Sequence, residues 1–539
     1  MKKHNAVKVV LVTLLVVLLL SWILPAAYFS GEYVSEGRIQ MGLFDMFNYP
    51  LTALSYFGYI ALFFVLVGGF YGILSKIPAY RNFLDKIVAM FNGMEKLFVS
   101  IVMILVAVIV SICGVQYEMF LFFPLIVAVI LLMGYDKFVA AITLVGSTAV
   151  GLAGTTYAYN NLNVLLSSLG LKLDYEIGVR TVILLVGLVL LIFNTILYIN
   201  KMGKKAPAKV ESKKVSVKEE VVEVKTAKVN TTTKTNTSSA KKSSSKKSSG
   251  AKKKSTKSKS NKRNVKAAVK DEDVIVVRED DTGLVPEKVG KNHSVWPFTL
   301  LFVLGLIVFV LAFIPWNENA FNVDAFVNVT KSVTEFKIFG FPLFGKILGN
   351  TNAFGAWTSS DLYLVMALVV LVLSLIYKVK LNDILDGFAE GAKKALAPAA
   401  IVLLVYTVLV AVTYHPFQLV IYKTLIGFVK GKFAWYCVFP TSLVAIIASV
   451  LNADPSYVFQ SVLPYIASLK IDDELYGVIG IIFQSLYGLT ILVGPTSIVL
   501  LSVLSVLKIS YLDWLKKVWK FAVEFLAVLL IIFIILTLV

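Results

Sequence analysis

The sequence predicts an all-α polytopic membrane protein: two inverted repeats with about nine full spans, two re-entrant hairpins and two broken helices. Three observations lead there. The 539 residues are 58% hydrophobic, and apolar runs long enough to cross a bilayer recur along them. One block, residues 201–295, holds 26 Lys/Arg against 11 Asp/Glu and supplies most of the net charge of +19. The apolar stretches on either side of it share an order of motifs. The chain therefore divides into an N-terminal membrane half, 1–200, a Lys/Ser-rich cytoplasmic linker, 201–295, and a C-terminal membrane half, 296–539.

The linker contains runs such as KKSSSKKSSGAKKKSTKSKSNKR and almost no aromatic residues. It cannot bury enough surface to offset its ordering entropy, so disorder is expected. Basic loops stay in the cytoplasm, and this one fixes the topology. Ala6–Phe29 follows MKKHN and reads as an uncleaved first span from a cytoplasmic N-terminus. A span at 52–75 and an amphipathic stretch, 76–95, precede a hairpin, 96–134, whose two short arms flank the polar Cys113–Glu118. A broken span, 137–170, and a full span, 177–199, complete the first half. Beyond the linker, spans near 294–315, 361–378 and 395–413 lead into an external amphipathic stretch. A second hairpin at 433–470, a broken span near 476–506 and a final span at 520–539 follow. The Lys-rich, Arg-poor composition suggests an AT-rich bacterial genome, and with it a bacterial cytoplasmic membrane is expected.

In the first half the tip CGVQYE precedes FFPLIVAV, and Gly154-Thr155-Thr156 stands 30 residues after Pro124. In the second, NADPS precedes VLPYIAS, and Gly494-Pro495-Thr496-Ser497 begins 30 residues after Pro464. One hairpin enters from the cytoplasm and the other from outside. That is the pattern of a secondary transporter with its site near the midplane.

Irregular backbone at membrane depth survives only where it lines a cavity or is buried in protein. Freed carbonyls and hydroxyls can hold a dehydrated Na⁺, while helix N-termini attract a carboxylate. The candidate substrate- or ion-binding residues follow. They are Thr155, Thr156, Asn160, Asn161 and Asn163 at the first break, and Asn452, Asp454 and Ser456 at the second tip. Gln484, Ser485, Thr496 and Ser497 surround the second break, and Glu118 is an intramembrane acid at the first tip. A coupling Na⁺ would sit near Thr155, Asn161, Asn452 and Thr496; a coupling H⁺ would ride on an acid such as Glu118. The same residues would also suit a kinked helix with interhelical hydrogen bonds. Asp454 could equally cap the returning arm. Arg180 and Asp361 read as snorkelling residues at span entrances, and His415 as interfacial. Ser359 falls in an external loop.

These residues resemble the ion transporter superfamily, and within it the YfcC-type carriers described as C4-dicarboxylate or basic amino acid antiporters. The aminobenzoyl-glutamate transporters are similar but more distant. The resemblance rests on WILPAAYFSGEY, MGLFDMF, VLVGGFYGIL and EMFLFFPLIVAVILLMGYDKFVAA in the first half. In the second it rests on ILDGFAEGAKKALAPAAIVLL, GLTILVGPTSIVLL and YLDWLKKVWKF. The family's acidic pair at the first tip is Tyr117-Glu118 here, and its Gly-Asp-Gly-x-x-Asn before Pro-Thr-Ser is Ser485–Thr490. The resemblance implies the scaffold and a homodimer; with those departures it does not fix substrate or ion.

The expected function is ion-coupled symport or antiport of a small carboxylate-bearing solute, an amino acid or a dicarboxylate. The alternative is an ion or small-solute channel with the breaks as its filter. The only histidines are His4, His293 and His415, and the cysteines are Cys113 and Cys437, so no metal centre, cofactor or enzyme chemistry is indicated. No Walker motif is present, which excludes ATP-driven transport by this chain. Expected partners are the solute and membrane lipids, with no specific nucleic acid.

Overall fold

The computed structural model describes residues 5–202, 282–287, 293–316, 321–349, 351–429 and 433–538. Most of the expected linker lies outside them. Helix α1, Asn5–Ile23, is followed by a small antiparallel hairpin, β1 Ala27–Ser30 and β2 Glu32–Ser35. This is the one sheet in an otherwise helical set of described residues. It falls where the first span was expected to continue to Phe29, and Pro25 ends the helix early.

The first half continues with α2 Asp45–Lys76, α3 Pro78–Met90 and α4 Glu95–Cys113. A 3-10 turn, Tyr117–Leu121, leads into α5 Phe123–Leu132. Then come α6 Lys137–Ala153, α7 Tyr159–Leu169 and α8 Ile177–Met202. After the linker the chain forms α9 Trp296–Phe313, α10 Ala325–Glu335, α11 Leu343–Leu348 and α12 Asp361–Ile376. The second half then repeats the first in order: α13 Leu381–Tyr414, α14 Gln418–Ile426, α15 Val438–Leu451, α16 Pro455–Ala467, α17 Leu475–Val493, α18 Ile498–Leu507 and α19 Tyr511–Leu536. Among the described residues, eight helical stretches are long and apolar enough to cross a membrane. The chain is an all-α polytopic membrane protein.

The repeat is inverted in the packing itself. Helices α2 and α13 occupy the same place in the two series, and they run antiparallel. Tyr49 meets His415, Phe57 stacks on Tyr406, Gly72 meets Gly391 and Lys76 pairs with Glu390. As the number rises in one helix it falls in the other. Helices α8 and α19 behave likewise, with Gly187 against Phe525 and Tyr198 beside Lys517.

The α2–α13 crossing is built on glycines four apart, Gly68 and Gly72 facing Gly387 and Gly391. Small residues at this spacing let backbones approach closely where lipid offers no hydrophobic drive. A Cβ on Gly72 would stand 2.0 Å from the Gly387 carbonyl oxygen. Arm α5 has 10 residues, about 15 Å, which is too short to cross. Arm α4, by contrast, reaches span length with 19, longer than the short arm expected. Most of the second broken span is buried inside the protein, whereas α1, α9 and α19 keep largely exposed faces.

Candidate functional site

Where α6 stops, at Gly154, its last carbonyls lose their helical partners. Each is recovered by a side chain. Ser485 donates to the Ala153 carbonyl at 2.9 Å, and Ser111 of α4 to that of Gly154 at 2.7 Å. Gln484 Nε2 donates to the Thr155 carbonyl at 2.9 Å, and Arg180 Nη1 to that of Thr156 at 2.9 Å. The guanidinium also reaches the Leu173 carbonyl at 2.5 Å and lies 4.3 Å from the Tyr175 ring centre. Tyr175 in turn donates to Gln484 Oε1 at 2.7 Å. The first break is thus sealed partly by its own half and partly by α17 of the other.

The second break is sealed by neutral donors. Ser497 donates to the Ile491 carbonyl at 2.8 Å, Trp514 Nε1 to that of Leu492 at 2.9 Å, and the Tyr511 hydroxyl to that of Val493. Trp514 stands three residues into α19, as Arg180 stands three into α8. The two positions are pseudo-equivalent, and only one is charged. Arg180 has no measurable exposure, its Nε has no partner, and no ion pair to it exists among the described residues. A buried guanidinium held by carbonyls, an aromatic face and a helix C-terminus places a cation beside the first break, with Asp174 and Glu176 close enough to act on it electrostatically.

The same symmetry appears in the threonines. Thr156 and Thr496 each stand two residues after the break glycine. Each hydroxyl donates to a carbonyl near the end of its own hairpin's first arm, Ser111 at 3.2 Å and Val450 at 2.7 Å. The equal spacing read from Pro to Gly therefore places equivalent side chains in equivalent bonds.

The two hairpin tips meet through one hydroxyl. Tyr487 of α17 reaches Gln116 Oε1 at 2.8 Å and the Ala453 carbonyl at 3.3 Å. At the first tip Gly114 is left-handed, φ +72°, and a Cβ there would come 2.7 Å from Ala158. Only glycine lets the tip close on the start of α7, where Asn161 donates to the Gly114 carbonyl. Glu118 accepts from the Gln116 N–H at 3.0 Å, and Asp454 caps α16 by accepting from Ser456 N–H at 2.9 Å. Both carboxylates are half-buried and close enough to interact electrostatically, with Tyr59, Tyr406 and Tyr487 around them.

Among the sequence-predicted residues, Thr155, Thr156, Gln484 and Ser485 gather at the first break. The Thr155 hydroxyl itself donates within α6, to Leu152, and the Thr155 carbonyl is occupied by Gln484 and Arg180. Asn452 is buried and bonds Gln418 Oε1 at 3.1 Å, while Ser497 caps α18. Asn160 and Asn163 are exposed on the first turns of α7. Three readings need correction. Arg180 does not snorkel, because its three carbonyl partners hold it inside. His415 is buried between the Tyr49 hydroxyl and the Ile39 carbonyl, both at 2.7 Å. Ser359 is no free loop residue but lies 3.2 Å from the Tyr117 hydroxyl at the first tip. Arg180 carried a visible signal, a charge within an apolar run. Tyr487 and Gln116 carried none, since their pairing joins positions 371 residues apart. Among the described residues no group of three His, Cys, Asp or Glu could hold a metal ion.

The family model for DcuC, C4-dicarboxylate anaerobic carrier, matches residues 55–243 and 278–539. A Haemophilus influenzae protein described as uncharacterized is 25% identical over 128 residues, 24% of this chain. The match spans a quarter of that relative's length. No solved structure matches.

Proposed function

The chain belongs to the DcuC family of C4-dicarboxylate anaerobic carriers, and on that premise we propose secondary active transport of a small carboxylate-bearing solute. A C4-dicarboxylate is the first candidate and an amino acid the second, moved by exchange or by coupling to Na⁺ or H⁺. The protein works as a homodimer in a bacterial cytoplasmic membrane, with the N-terminus and linker inside.

The observation that supports this reading is the fully buried Arg180 at the first break, which has no ion pair among the described residues. Its Nε–H is unused, and an arriving carboxylate would supply the missing partner. The same cation disfavours Na⁺ at the Thr155 carbonyl. We therefore assign the coupling cation to the other side of the site, the Glu118–Asp454 pair at the joined tips. A carboxylate solute and a cation are then held apart by Tyr487 and Gln484, both on α17.

Purified protein in proteoliposomes loaded with unlabelled fumarate, succinate or aspartate tests this. Labelled solute outside should accumulate faster than into empty vesicles, because a carrier exchanges. Uptake that ignores the internal solute would be channel behaviour and would overturn the reading. Arg180→Gln should insert normally and lose most exchange.

A further inference from the structure

We propose that Thr282–Glu287, at the end of the expected linker, is a built-in plug. It seats in a cleft between the α2–α13 pair and the returning arm of the first hairpin and holds that cleft shut. The cleft is lined by Val67 and Tyr71 of α2, Phe120 and Phe123 of the hairpin, and Lys394 and Pro398 of α13. Gly283, Leu284 and Pro286 of the segment complete its wall. Leu284 and Val285 pack on the core, and Pro286 is buried.

Two cations hold the peptide by its backbone. Lys394 Nζ donates to the Gly283 carbonyl at 3.1 Å, and Arg81 Nη1 to the Pro286 carbonyl at 2.9 Å. Gly283 has φ +65°, so the turn that aims Leu284 into the cleft favours glycine. Proline at 286 brings no N–H that would need a partner in the cleft. A segment read as part of a solvated tether is therefore specified, residue by residue, for docking.

One wall of the cleft is fixed and the other belongs to a hairpin. The glycine crossing makes α2–α13 a tight unit, whereas the hairpin is tied to it on this side through its 3-10 turn, where the Tyr71 hydroxyl donates to the Leu121 carbonyl at 2.8 Å. Alternating access in inverted repeats rocks one group of helices against another. A peptide wedged between the fixed pair and the hairpin resists that movement at the end of the bundle where the linker attaches. This consequence rests on the carrier reading; the docking itself does not.

The test uses full-length protein with Cys113→Ala, Cys437→Ala and Ser75→Cys, a cleft position, in proteoliposomes. A membrane-impermeant maleimide is applied from the linker face. Leu284→Asp should raise the labelling rate at least fivefold, and Lys394→Ala by a smaller factor. A peptide covering residues 280–290, added in excess to the Leu284→Asp protein, should slow labelling again. Equal rates in all three proteins, with unchanged elution on size exclusion, would overturn the plug. Succinate counterflow should rise several-fold in Leu284→Asp, and a fall would show a strut instead. Faster labelling with no counterflow by any variant would sink the carrier reading and leave the plug standing.

Discussion

A single buried guanidinium distinguishes the two helix breaks. Arg180 and Trp514 fill equivalent positions, and each donates to the carbonyls that a helix break exposes. Trp514→Phe removes one neutral donor and should cost about 1–3 kcal/mol of stability, the usual cost of an unsatisfied buried carbonyl. Arg180→Lys keeps the charge but loses the fork that spans three carbonyls, so exchange should fall on the order of tenfold with insertion unchanged. A half-saturating concentration that rises while the maximal rate holds would mark Arg180 as a solute contact. Thr496→Val removes the bond to Val450 and should raise that concentration by several-fold without loss of the folded protein. Thr→Val at 156 should act in the same direction, and unequal effects would mean the two breaks serve different ligands. What the sequence could not convey at this scale is partner identity. Thr155 and Thr156 were legible as a polar break, but whether a hydroxyl faces a cavity or its own helix is decided by rotamers. Arg180 was visible, yet snorkelling and burial look alike until the neighbouring carbonyls are placed.

At the level of elements, legibility followed local pattern. Both broken helices fall where Gly and Pro interrupt apolar runs, residues 137–170 and 476–506, because a missing N–H or a missing Cβ acts on its own turn. The β1–β2 hairpin was missed because AYFSGEYVS is short and follows an apolar run that could have continued as helix. The α2–α13 crossing was not legible either. The glycines stood in plain view, but their partner lies more than 300 residues away. That crossing gives a sharp prediction. Gly72→Val and Gly391→Val each drive a side chain into facing backbone at 2.0 and 2.1 Å, with no flexible neighbour to yield. Overpacking of this kind costs about 1–3 kcal/mol or more. Both variants should lower the thermal midpoint in detergent and reduce exchange together. Gly305→Val on α9 has open space around it and should do neither.

For the whole molecule, the antiparallel pairing of α2 with α13 and of α8 with α19 requires equivalent loops to lie on opposite faces of the membrane. If the basic linker fixes its own face as cytoplasmic, the loop between α3 and α4 is cytoplasmic, because the first hairpin begins and ends there. By the inversion, the loop between α16 and α17 is external. Asn92 and Asp473 occupy these loops and are exposed, so a cysteine at either costs nothing in packing. In a background carrying Cys113→Ala and Cys437→Ala, Asn92→Cys should react with an impermeant maleimide only in inside-out vesicles. Asp473→Cys should react only in right-side-out ones. Reaction of both in the same vesicles would contradict the inversion that relates the two breaks, and the reading of solute at the first break and cation at the joined tips would fall with it. The hairpin tips are poorer probes, since a cysteine at Gly114 would press on Ala158 and shift the structure it was meant to report.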